Sequence, residues 1–204
     1  MGRELGPAMT DSEKELMRLL KIAALIFMAT SVVCPCSAED FHFNSIPRFT
    51  IERGLAVGTG QNYKWPSTVK TRFAFNTARF RYGVFITPRQ ENIWDLGIAT
   101  GSGSGGLGIY TATFSNRRYV KVSEHTAWSV GFGVGLTQLE HHIPDLAGKL
   151  NFTTMLGLAY HWTVSSDSAM SAEYLFSHTS NGDTRQPNTG INISTILLGY
   201  SQYQ

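Results

Sequence analysis

The sequence predicts an all-β protein, an eight-stranded antiparallel up-and-down transmembrane β-barrel. Three observations predict it. Segment after segment alternates a large apolar residue with a small one, the period of two that a strand imposes. The second face is mostly Gly, Ala, Ser and Thr, where a soluble sheet would show Lys, Glu and Asp; this suits the cramped interior of a small barrel whose large side chains point into lipid. The segments number eight, the even count of small membrane barrels.

The clearest strand is Trp128 to Glu140, where Trp128, Val130, Phe132, Val134 and Leu136 oppose Ser129, Gly131, Gly133, Gly135 and Thr137. Asn151 to Val164 sets Phe152, Leu156, Leu158, Tyr160 and Trp162 against Asn151, Thr153, Gly157, Ala159 and His161, so His161 is expected as a hydrogen-bonded lumen residue. Phe49 to Thr59 divides in the same way. Val69 to Ile86 has Phe73 and Phe75 on odd positions but Phe80, Tyr82, Val84 and Ile86 on even ones, which predicts a register switch near Ala78 and Arg79, as a bulge would cause. Segments 92–99, 107–122, 168–181 and 191–203 complete the set, and Pro, Gly, Asn and Asp mark the turns between them. Arg79, Arg81, Arg117 and Arg118 are expected in loops or at interfaces.

Ahead of the barrel lies an export signal. Arg18 and Lys21 supply its positive region, 22–33 its apolar core and Cys36-Ser37-Ala38 its small-residue cleavage site, so residues 1–38 are predicted to be removed and 39–204 to form the barrel. Met17 would make a signal of ordinary length. Cys34 and Cys36, the two cysteines of the chain, both precede the cut, which leaves the mature protein without a disulfide or a thiolate metal site.

Composition narrows the function classes. A net charge of +2 with 16% charged residues gives no nucleic-acid footprint. Gly103, Gly105 and Gly108 match a dinucleotide-binding glycine spacing, but the segment after them reads as a strand where that motif needs a helix. Glu140, His141 and His142 are compact enough to suggest a metal, yet adjacent histidines in a strand point to opposite faces and a third ligand is missing. No metal or organic cofactor is expected.

Chemistry concentrates near the C-terminus, in AEYLFSHTSNGDTRQPNTGINISTILLGY. His178 and Ser180 are two apart in a strand, hence on one face, with Cα atoms roughly 7 Å apart. Met170, Ala172, Tyr174 and Phe176 share that face, so the pair extends a lipid-facing line to the barrel rim. Asn192 shares a face with Ile196, Leu198 and Tyr200, also outward.

The run His178, Ser180, Asn181, Pro187, Asn188, Gly190, Ile191 and Asn192 resembles the C-terminal signature of the lipid A 3-O-deacylases, the PagL-like outer-membrane esterases. The resemblance is sharp over about fifteen residues and architectural over the rest. It implies a serine esterase of the bacterial outer membrane that removes the ester-linked 3-position acyl chain of lipid A, with lipopolysaccharide as substrate and no cofactor. His178 would be base and Ser180 nucleophile, with Asn181, Gly182 and Asn188 supporting the turn and the oxyanion. The family carries a glutamate where this chain has Asn192; an amide orients a histidine through its oxygen but supplies no charge, and Asp183 is the nearest carboxylate that could serve instead. The alternatives are a catalytically silent barrel with a structural or adhesive role, which Asn192 favours, and a soluble ligand-binding barrel. Outer-membrane lipid and the barrel-assembly machinery are the other expected partners, although the chain finishes Tyr203-Gln204 where such barrels commonly end on an aromatic residue. The sequence leaves homodimerisation open.

Overall fold

A computed structural model describes residues 42–63, 70–102 and 107–204. The expected signal segment 1–38, with Met17, Cys34 and Cys36, lies outside them, as do Gly103 and Gly105. Eight strands, β1 (Ile51–Tyr63), β2 (Ala74–Thr87), β3 (Gln90–Ser102), β4 (Leu107–Val122), β5 (Thr126–Leu139), β6 (Leu150–Ser165), β7 (Ser168–Ser180) and β8 (Ile191–Tyr203), form a closed antiparallel barrel in sequence order, with β8 returning to β1. Closure leaves no unpaired edge, which a strand surrounded by hydrocarbon requires.

The outer surface is apolar. Leu96, Phe132, Leu136, Phe152, Leu156 and Ile196 are all exposed, which contradicts a soluble barrel. Short turns join β2 to β3, β4 to β5 and β6 to β7, at the end that also carries Gln204; longer connections link the strands at the other end. That asymmetry assigns the short turns to the periplasm and the longer loops to the cell exterior. An outward girdle of aromatics, Tyr82, Trp94, Phe114, Trp128, Tyr160 and Trp162, follows the periplasmic rim with ring centroids 5.1–6.2 Å apart between neighbours.

Inside, small residues are a steric requirement. A Cβ on Gly58 would sit 1.9 Å from the Ile196 carbonyl oxygen of β8, so the close β1 to β8 approach excludes any larger residue. Apolar plugs close both ends of the lumen. Phe43 and Ile46 of the N-terminal segment pack with Phe85, Tyr119 and Tyr203 at the periplasmic end, while Phe73, Phe75, Leu107, Leu139, Leu146 and Ile191 seal the extracellular end.

The extracellular plug corrects the expected register switch in β2. Pairing with β1 and β3 runs unbroken through Ala78 and Arg79, and the irregularity lies at Phe85/Thr87 instead. Phe73 and Phe75 face inward because the plug takes them, so large apolar residues occur on both faces of this strand.

The arginines are a second correction. Arg79, Arg81 and Arg117 are buried in the lumen, whereas Arg118 is exposed on the outer face. Arg79 and Arg81 share Asp95 through their Nε atoms at 2.9 and 3.0 Å, Arg81 also donates to Glu173 across the barrel, and Arg117 binds Glu52 at 3.1 Å and Glu91 at 3.3 Å. Buried charges persist only when paired and hydrogen-bonded. His161 lies in the lumen as expected, its Nε2 2.8 Å from Ser129 Oγ. Because Arg81 is the cation in direct contact with the buried Glu173, Arg81→Met is expected to destabilise the folded barrel by about 3–5 kcal/mol. Urea unfolding of the detergent-folded protein, followed by heat-modifiable gel mobility, checks this.

Candidate active site

β7 and β8 carry the predicted polar residues to the extracellular rim. His178 pairs with Asn192 directly across the ladder, which continues one more rung to Thr179 and Ile191. Directly opposed side chains lie close enough to bond, and His178 Nδ1 is 2.8 Å from Asn192 Oδ1. The acceptor is a carbonyl-type oxygen, so Nδ1 carries the proton and Nε2 keeps its lone pair. Although Asn192 faces outward it is only 6% exposed, flanked by His178 on β7 and Tyr63 on β1.

Gly190 determines where the free edge of the ring lies. A Cβ there would sit 2.7 Å from His178 Cε1 and 3.1 Å from Nε2, so the imidazole rests on the bare glycine backbone. Gly190 also has φ +70°, a conformation that a Cβ disfavours. Just beyond the Thr179–Ile191 rung, on the extracellular side, stand Ser180 and Gly190. The ring thus presents Nε2 toward the level of Ser180. Ser180 is half-buried, and its hydroxyl makes no hydrogen bond to the described residues, His178 included.

The loop from 181 to 190 is held by its own amides. Asn181 N–H donates to Asn188 Oδ1 at 2.9 Å, Asn181 Nδ2 donates to the Arg185 carbonyl at 2.8 Å, and Asn188 Nδ2 donates to Asp183 Oδ1 at 3.1 Å. Asn181 and Asn188 are therefore engaged as turn supports. Gly182, at φ +65° and exposed, has an N–H that donates to none of the described residues. Asp183 turns toward Asn188 and Gln186, and the partner of His178 is Asn192.

A neighbouring loop braces this one. Ala147 N–H donates to the Pro187 carbonyl at 2.9 Å and Thr189 N–H to the Asp145 carbonyl at 3.1 Å. The buried Asp145 carboxylate in turn accepts from the Lys70 and Thr71 amides at 2.8 and 2.7 Å, tying in the β1 to β2 connection. Sequence reasoning did not find Asp145; an acid directly after an Ile-Pro pair in an exposed-looking loop carries no signal of a partner some 75 positions away.

Below the polar rim the lipid-facing surface continues with Phe176, Tyr174 and Ile196 on β7 and β8 and Leu156 on β6, while Phe152 of β6 lies level with Ser180. Tyr174 OH meets Ser194 Oγ at 2.5 Å, which pairs two hydroxyls that would otherwise face hydrocarbon beneath Asn192. Glu140, His141 and His142 form no group of three ligands on one point.

The family model described as Lipid A 3-O-deacylase (PagL) matches residues 57–201. Among solved structures, the chain is similar to Neisserial surface protein A, with a TM-score of 0.60 at 11% identity over 75% of this chain and 96% of that one. This likeness shows the fold. The outer membrane enzyme PagL gives a TM-score of 0.49 at 16% identity, covering 74% of this chain and 98% of that one, and Ail, the attachment invasion locus protein of Yersinia pestis, gives 0.47 at 9%, covering 78% and 100%. The curated proteins give no match.

Proposed function

The chain belongs to the lipid A 3-O-deacylase (PagL) family, and on that premise we propose that His178, Ser180 and Asn192 form its hydrolytic centre, a serine esterase site on the outer face of the barrel. The family activity is ester hydrolysis of lipid A in the outer membrane. One observation carries the assignment of residues: the 2.8 Å bond from His178 Nδ1 to Asn192 Oδ1, which leaves Nε2 unprotonated at the level of Ser180.

Ser180 Oγ attacks the carbonyl carbon of the 3-position ester while His178 Nε2 takes its proton. The tetrahedral intermediate places negative charge on the former carbonyl oxygen, and the Gly182 N–H is the donor the loop offers there. Collapse expels the sugar 3-oxygen, which takes the proton back from Nε2. The acyl group stays on Ser180 until water, deprotonated by the same nitrogen, releases it as the free acid. Asn192 holds the ring in the required tautomer throughout.

A site on the outer surface takes its substrate from the bilayer. The scissile ester would lie at the extracellular rim, with its acyl chain along Phe176, Tyr174 and Ile196 below. Arg185, exposed on the loop, is placed to meet a lipid A phosphate. For insertion by the barrel-assembly machinery, β8 offers Tyr200 outward near its end, while Tyr203 is buried inward.

Labelling with a fluorophosphonate tests the nucleophile: the adduct is expected on the peptide carrying Ser180 and absent in His178→Ala, while an adduct on another serine contradicts the assignment. Asn192→Ala is expected to lower kcat by roughly 10- to 100-fold by freeing the ring, and Asn192→Glu to raise it above wild type, because a carboxylate also stabilises the imidazolium. Steady-state hydrolysis of lipid A in detergent measures both.

A further inference from the structure

At the opposite, periplasmic end of the barrel, we propose a divalent transition-metal site made by His42, Glu124 and His125, independent of the esterase centre. His42 precedes Phe43, whose ring enters the periplasmic plug and whose N–H donates to the Glu124 carbonyl at 3.1 Å. That backbone bond sets the N-terminal segment against the β4 to β5 turn. His42 Nδ1 and His125 Nε2 then approach the same atom, Glu124 Oε1, from two sides, each at 3.8 Å. All three ligand atoms lie within 4.8 Å of one another.

Two features favour a ligand over an incidental cluster. His42 Nδ1 is itself shielded from solvent and has no hydrogen-bond partner, with the Glu124 oxygen 3.8 Å away. An orphaned buried ring nitrogen costs stability that coordination would recover. The second histidine is set for the same point: the far nitrogen of His125, Nδ1, lies 3.4 Å from Thr163 Oγ1, and its carbonyl accepts the Thr163 N–H at 2.9 Å, so Nε2 is the nitrogen turned to Glu124. Histidine ligands are commonly oriented in this way, through the nitrogen that does not bind.

Two imidazoles and one carboxylate suit Zn²⁺, with water in a fourth position, and disfavour Mg²⁺ or Ca²⁺, which require oxygen donors. Ligand atoms around tetrahedral zinc stand about 3.4 Å apart, given bonds of about 2.0–2.1 Å. The two His–Glu distances close from 3.8 Å by a few tenths of an ångström, and the two imidazole nitrogens, within 4.8 Å of each other, close by at most about 1.4 Å, within reach of the exposed Glu124 and His125 side chains. A bound ion would clamp the segment that plugs the periplasmic end.

Zn²⁺ titration of the untagged, detergent-folded protein by calorimetry tests the site. One ion per chain is expected, with affinity lowered at least about tenfold in His42→Ala and in His125→Ala, and unchanged in the double variant His141→Ala, His142→Ala at the other end. Zn²⁺ should also raise the unfolding temperature of the wild type but not of His42→Ala. Each variant is first checked for heat-modifiable mobility. No saturable Zn²⁺ binding by the folded wild type, or binding by both single variants as tight as by the wild type, overturns the proposal, as does loss of binding only in the His141, His142 variant.

Discussion

Ser180→Ala and His178→Ala are each expected to lower lipid A deacylation by at least about 10³-fold, and the double variant to be scarcely worse than either single one. Nucleophile and base act as one unit, so removing either removes covalent catalysis entirely. Neither substitution touches the lumen network or the plugs, because both side chains lie on the outer face. Unchanged gel mobility on heating should therefore accompany the loss. Additive losses in the double variant would mean that the two residues work in separate steps.

Gly190→Ala is the second large effect. The added methyl would lie 2.7 Å from His178 Cε1, and the backbone at φ +70° resists any side chain, so the ring must shift. A displacement near 1 Å in a catalytic group costs on the order of 10²-fold. The fall is expected in kcat with little change in KM, because substrate contacts along Phe176 and Ile196 are untouched. Gly182→Ala makes the comparison: it also has positive φ, but its Cβ would meet only the Phe152 ring at 3.5 Å, away from His178. Gly182→Ala is also expected to lower kcat, by moving the oxyanion N–H, but with the His178 ring left in place, so a shift of the His178 imidazole NMR signals in Gly190→Ala alone separates the two glycines by mechanism.

The strands were legible because their period is local. Trp128 to Leu139 or Leu150 to Ser165 can be read without knowledge of any other segment, and the outward parity of His178 follows from it. The His178–Asn192 contact is nearly as accessible, since one hairpin joins residues 14 apart. What escapes the sequence depends on barrel closure. Arg81 and Glu173 are 92 positions apart and meet only across the lumen, so the arginines read as loop residues. Phe73 and Phe75 suggest a register switch because large apolar residues read as lipid-facing, and the inward plug that receives them draws residues from five other elements. For the same reason nothing in the sequence links His42 to Glu124.

Mass spectrometry of lipid A after lipopolysaccharide is incubated with the folded protein tests the central claim most directly. Wild-type protein should remove one 3-hydroxyacyl mass, released as the free acid, and Ser180→Ala should leave lipid A intact. Unchanged lipid A with folded wild type, or equal loss with Ser180→Ala, would contradict a serine esterase at this rim.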